Sequence, residues 1–225
     1  MTPVRRTLLV LLVATASLAA APQKKERPQG WYAVFETTLG SFSVRLLPEQ
    51  APQTVAHFAA FAEGRMEWVD IATGDKKKQP FYDGLAIHRV AAGQRFEAGD
   101  PTGTSHGAPL VYVPKESGPV EFSHPFRVGM TASSMQRISG VLFFVSMVSE
   151  PYLNPSHNCF GEVVEGQEVV EAICTAKTNA DRVPVPPIVI RHVKIVKSGN
   201  PPPLAEPVRY RPPHPVPQVR PVESP

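Results

Sequence analysis

Residues 80–104, PFYDGLAIHRVAAGQRFEAGDPTGT, put one arginine, Arg89, inside an apolar alternating run directly after His88. Arginine stays charged at physiological pH and is rarely buried without a partner. Arg89 is therefore either paired within the fold or aimed at a ligand, and taken alone it reads more often as paired. His88 reads as a packed or hydrogen-bonded structural histidine. The stretch Gly99-Asp100-Pro101-Thr102-Gly103 lacks the lysine and helix of a phosphate-binding loop and reads as a turn. The seven histidines have no ligand spacing, so no metal site is expected. Phe143-Phe144 reads as core, and strand alternation turns only one of the two toward any pocket.

The elements that must hold Arg89 follow from the surrounding pattern. Residues 31–37 and 42–47 are rich in β-branched and aromatic types around Thr38-Leu39-Gly40-Ser41, which predicts a hairpin. Val55, Phe58, Ala59 and Ala62 recur at helical spacing after Pro52, with Gly64 as the C-terminal stop. Residues 68–79 are polar and carry Gly74 and Lys76-Lys77-Lys78, which predicts a surface loop. Strands are expected over 85–90, 95–98, 128–132, 142–147, 159–164 and 188–196. A second helix is expected over 167–174, with Val169, Val170 and Ile173 on one face. Short strands with two helices suggest a mainly β fold, a closed barrel with helices at its ends.

The chain has 225 residues, net charge +3 and 42% hydrophobic residues, enough for one core and not for a second full domain. Its positive charges are scattered, so no nucleic-acid footprint is expected. Arg5 and Arg6 precede an apolar run over 8–21 that ends in small residues, the pattern of a signal peptide cleaved after Ala19. The run is shorter than the roughly 20 residues of a membrane span. The expectation is an exported protein, periplasmic or secreted, without stable membrane insertion after cleavage. Residues 22–29 read as a polar linker, 30–197 as the folded domain, and 198–225 as a Pro-rich disordered tail. Residues 201–225 hold 10 of the 26 prolines and so suggest extended polyproline-like chain. Export permits a disulfide between Cys159 and Cys174, but two buried free thiols is the preferred reading.

Over nearly all of 31–197 the chain resembles the cyclophilin-type peptidyl-prolyl isomerases. The matching pieces are FETTLGSFSVRLLPEQAPQTVAHF, FYDGLAIHRV, GDPTGT, GVLFFVSM, Leu153 and His157 in YLNPSHNCFG, and EVVEGQEVVEAI, in that order. The resemblance implies a closed eight-stranded antiparallel β-barrel capped by two α-helices. It implies that Arg89 is the catalytic arginine, that Phe144 is the main wall of a proline pocket, and that Leu153 and His157 line it. Phe143 falls on the neighbouring strand position, and Tyr152 stands where many members carry tryptophan. Ser133 and Ser134 fall in the segment that holds the substrate backbone.

The departures from the family pattern lie around that arginine. Gln94 and Arg95 replace two apolar pocket residues, Glu97 replaces a supporting glutamine, and Leu142 replaces a second. A polar pocket would hold a proline ring less well. Losing one hydrogen bond at Leu142 would cost about 0.5–1.5 kcal/mol. Glu97 would either brace Arg89 or hold it away from the substrate. The activity implied is isomerisation of X-Pro bonds in unfolded or flexible protein segments by a monomer. The alternative is a weak or inactive module of the same fold that binds proline-containing peptides.

Overall fold

The computed structural model describes residues 26–70, 73–104, 111–132 and 137–208. Strands β1 (Gly30–Thr37) and β2 (Gly40–Leu46) form the expected hairpin. Helix α1 (Pro52–Ala62) follows, then the short pair β3 (Trp68–Val69) and β4 (Lys76–Lys77). The chain continues through β5 (Arg89–Ala91), β6 (Arg95–Ala98), β7 (Tyr112–Val113), β8 (Arg127–Ala132) and β9 (Ile138–Ser146). A 3-10 turn at Pro151–Leu153 leads to β10 (Asn158–Glu165), helix α2 (Gln167–Cys174) and β11 (Ile190–Ser198).

Eight strands form one antiparallel curled sheet in the order β11-β1-β2-β10-β8-β9-β6-β5, and β7 adds to β9 at its side. The sheet is not laddered all the way round. Its edges meet at a seam carried by the Ala86–Val189 bridge, with Ile190 N–H donating to Leu85 O at 2.8 Å and Ile87 N–H to Ile188 O at 2.9 Å. This seam explains why β5 starts at Arg89 and not at the expected residue 85: the preceding residues spend their backbone groups on the start of β11.

Alternation sends Phe35, Phe42, Phe96 and Phe143 inward, where they meet Phe58 of α1, Tyr82 and Phe160. Phe35 and Phe42 stack with centroids 4.6 Å apart, and Phe143 meets Phe58 edge-on at 5.8 Å. Each such ring contributes on the order of 1.5–3 kcal/mol by burial. The amino end of α1 has no capping side chain of its own. Instead Glu116 accepts from the Gln53 and Thr54 N–H groups at 2.8 and 2.9 Å, which satisfies donors that a helix start leaves open.

Two expectations change. The 68–79 segment is not a bare surface loop, because Trp68 is only 6% exposed and packs edge-on against Phe81 at 5.0 Å. Nor are the residues flanking the domain free chain. Arg27 of the presumed linker bonds Glu165 at 2.7 Å and Ser43 at 2.8 Å. Residues 201–208 run as a strap over α1: Trp31 Nε1 donates to Pro202 O at 2.8 Å, Leu204 packs against the core, and Val208 N–H donates to Gln53 Oε1 at 3.0 Å. His57 Nε2 lies 2.8 Å from Val208 O. Residues 1–25, which include the expected signal peptide, and residues 209–225 lie outside the described residues. No helix among the described residues is long and apolar enough to cross a membrane.

Candidate active site

The pairing register builds the site. Arg89 on β5 stands opposite Glu97 on β6, Glu97 opposite Phe144 on β9, and Phe144 opposite Gly129 on β8. These residues share the outward face of the curled sheet, while their neighbours Phe96, Ala98 and Phe143 fill the interior. Alternation puts Arg95 on the same outward face as Glu97. The sequence motif thus becomes a row: cation, carboxylate, aromatic wall.

Phe144 does not sit on open surface. It forms a second apolar cluster with Phe122, Leu153 and Cys159, separate from the main core. The Phe122 ring lies 5.2 Å away, and the His157 ring meets Phe144 edge-on at 5.5 Å. Gly129 makes room for this cluster, since a Cβ there would come within 2.4 Å of the Phe144 ring and 2.6 Å of Phe122. The Cys159 thiol is pushed up to about 12 by burial, so it is a neutral packing group and not a nucleophile. Burial also holds His157 below the ordinary histidine value, despite its backbone contact with Leu153. His157 is thus a neutral ring at pH 7, with Nδ1 2.8 Å from Ser156 Oγ.

Arg89 is half-buried, its side chain 38% exposed, and NH1 donates to Glu97 Oε1 at 3.3 Å. That is one long contact, not the bidentate clamp a carboxylate can offer arginine, and among the described residues it leaves the rest of the fork available. The same Glu97 oxygen lies 3.5 Å from Arg95 Nε. Arg95 in turn donates NH1 to Glu150 and, at 3.0 Å, to the Tyr152 hydroxyl. Burial alone would lower the Arg95 pKa, but Glu150, Tyr152 and Glu97 together raise it above the ordinary arginine value.

Most of the sequence candidates therefore converge. Arg89, Glu97, Arg95, Phe144, Leu153, His157 and Tyr152 surround one region, and Leu142 lies half-buried on the same face of β9. Two candidates do not join it. Phe143 is fully buried in the main core, because the alternation that presents Phe144 turns its neighbour inward. Gln94 is exposed on the turn of the β5–β6 hairpin, and its backbone oxygen accepts from Met147 N–H at 2.7 Å. Ser133 and Ser134 lie outside the described residues. The sequence gives no local signal for two further members, Phe122 and Glu150. Phe122 belongs to a stretch without periodicity, and the partner that makes Glu150 meaningful is 55 positions away.

His88 is buried and held below the ordinary histidine value by that burial. Asp100 closes its own turn, accepting from Thr102 N–H at 2.8 Å, so the Gly99–Gly103 stretch is a turn and not an anion cradle.

Comparison with known proteins agrees with this geometry. Residues 32–195 match the family described as cyclophilin type peptidyl-prolyl cis-trans isomerase. A peptidyl-prolyl cis-trans isomerase B from Streptomyces anulatus is 37% identical over 169 residues, covering 73% of this chain and 95% of that protein. The peptidyl-prolyl cis-trans isomerase A of Mycobacterium tuberculosis is 36% identical over 166 residues, covering 72% and 91%. A cyclophilin type isomerase from Cryptosporidium parvum, solved in the presence of the dipeptide Ala-Pro, superposes with a TM-score of 0.61 at 24% identity, over 75% of this chain and 99% of that one. Sheet, helices, register and family match lead to one conclusion: the chain belongs to the cyclophilin-type peptidyl-prolyl cis-trans isomerases.

Proposed function

We propose that Arg89 is the catalytic group and that the protein isomerises X-Pro bonds of exported proteins as they fold. Rotation about an X-Pro amide is opposed by a barrier of about 18–20 kcal/mol, and uncatalysed exchange takes tens to hundreds of seconds. The barrier reflects delocalisation of the proline nitrogen lone pair into the carbonyl. A donor aimed at that nitrogen stabilises the twisted amide, in which the lone pair is localised. Catalysis is then selective binding of the twisted state, and no covalent step is needed.

The observation that carries this reading is the row itself. A half-exposed guanidinium stands beside an apolar wall, linked through one carboxylate that engages it by a single long contact. Phe144, Leu153 and neutral His157 supply the grip on a proline ring, and Arg89 the donor. Arg95 makes that grip more polar than an all-apolar pocket, which supports modest potency.

Isomerisation of an X-Pro peptide followed by NMR exchange or protease coupling tests the assignment. The wild type should accelerate exchange, and Arg89→Ala should lower kcat/KM by about 10²–10³-fold, the usual effect of removing one transition-state donor, while the fold stays intact. An Arg89→Ala protein as active as the wild type would remove Arg89 from the mechanism. Export rests on the Arg5-Arg6 pair and the apolar run that follows. Intact mass of the protein recovered outside the cytoplasm should begin after Ala19, and a chain that keeps Met1 there would contradict the leader.

A further inference from the structure

The contact across the proline pocket has a partner that the catalytic reading does not use. The Arg95 guanidinium lies over the Phe144 ring, 5.9 Å from its centroid, and Phe144 is only 2% exposed. What fixes Arg95 there is Glu150, itself 2% exposed, one residue before the 3-10 turn. Glu150 Oε1 accepts from both Arg95 NH1 and the Tyr152 hydroxyl, the latter at 2.6 Å. Its other oxygen, Oε2, is buried without a hydrogen-bond partner among the described residues. A buried carboxylate with half its acceptor capacity unused depends on its one counter-charge, and removing a partner from such a pair is strongly destabilising. The pair therefore holds Arg95 in one position.

That position matters twice. Arg95 covers the wall against which a proline ring would pack, and its Nε also reaches the Glu97 oxygen that contacts Arg89. Resting on the isomerase reading of the same groove, we propose that Arg95 and Glu150 form a latch across the proline pocket, with Glu150 the positioning residue and Arg95 the residue that limits access to Phe144. The latch sets substrate affinity, while Arg89 sets the rate of rotation. Replacing both members with neutral side chains of similar size leaves no unpaired charge and exchanges a cover pinned by its counter-charge for a flexible apolar one that a proline ring can displace.

The test compares wild type, Glu150→Gln, Arg95→Met and the double variant, measuring KM and kcat on one X-Pro peptide together with the melting temperature. In the double variant KM should fall roughly three- to tenfold, the worth of about one polar contact, with a smaller change in kcat. Arg95→Met alone should also lower KM but melt earlier, and the second substitution should restore the melting temperature. A purely structural pair would move melting and leave KM in place. An active wild type with KM unchanged within about twofold in the double variant overturns the latch and leaves the isomerase reading standing. An inert wild type alongside a folded, inert double variant overturns both. Activity that emerges only in the double variant supports the latch in its strongest form. Should the double variant not fold, the near-isosteric Glu150→Gln decides the matter alone by the same fall in KM.

Discussion

Two faces of one ladder do opposite work in this protein. On the inward face of β6 and β9, Phe96, Ala98, Phe143 and Val145 are wholly buried and make only apolar contacts with the core. On the outward face, one residue out of step, Arg95, Glu97 and Phe144 combine two charges with an aromatic ring. The inward face is specified by volume, so nearly any departure in size destabilises it. The outward face is specified by charge and hydrogen bonding across several strands, so its residues can change type if their partners change with them. That is how Arg95 can stand where the family resemblance implies an apolar side chain: Glu150 and Tyr152 supply the counter-charge and the hydroxyl.

The comparison can be broken most sharply at the two adjacent phenylalanines. Phe143→Ala should cost about 3–5 kcal/mol in chemical denaturation, because the cavity opens among Phe35, Phe58 and Tyr82. Phe144→Ala should cost less stability and more peptide affinity; equal stability losses would mean that the faces are not distinct. At the next level, Gly129→Ala puts a methyl group into the Phe144 and Phe122 rings. It should destabilise by about 1–3 kcal/mol and also raise KM, since the displaced ring is the proposed pocket wall. Unchanged KM would show that the wall accommodates the shift.

A smaller effect is expected from Glu97→Gln, which removes the carboxylate shared by the two arginines. A several-fold rise in kcat would mean that Glu97 restrains Arg89, and a fall would mean that it braces it; the single long contact favours the rise, by about the worth of one hydrogen bond.

The smallest effect concerns pH. His57, His88 and His157 are all held below the ordinary histidine value of 6.5 by burial. The unfolded chain therefore takes up more protons than the native one as pH falls through 6.5. Stability should be fully present above that value and decline as the pH is lowered toward 5. A melting temperature that rises on acidification over this window would contradict the burial of these rings.

Much of the fold was legible because its signals are local. The 31–47 hairpin, the apolar spacing of α1 and the Val169-Val170-Ile173 face of α2 each lie within one element. As site candidates, Arg89 and Phe144 were legible only through the ordered family resemblance; neither type nor spacing alone distinguishes them from structural residues. What escaped depends on distant partners. Glu150 gains its role from Arg95, Phe122 from Phe144, and the short β5 from a seam formed with residues a hundred positions away. Trp68 escaped because a polar neighbourhood conceals one buried ring.

The strap over α1 gives the molecule a mechanical property. Load applied beyond Val208 would reach the contacts with Gln53 and His57 before it reached the hydrogen-bonded ladder of β11 with β1. A few isolated bonds yield before the continuous pairing of β11 with β1, which such a load meets first at the Gly30–Ser198 end. The strap would thus act as a fuse, freeing about ten residues, roughly 33–36 Å of contour length less the distance the strap already spans, before the sheet itself bears tension. Single-molecule pulling from the C-terminus should record that short release as a separate low-force step, and Trp31→Ala should bring it to still lower force.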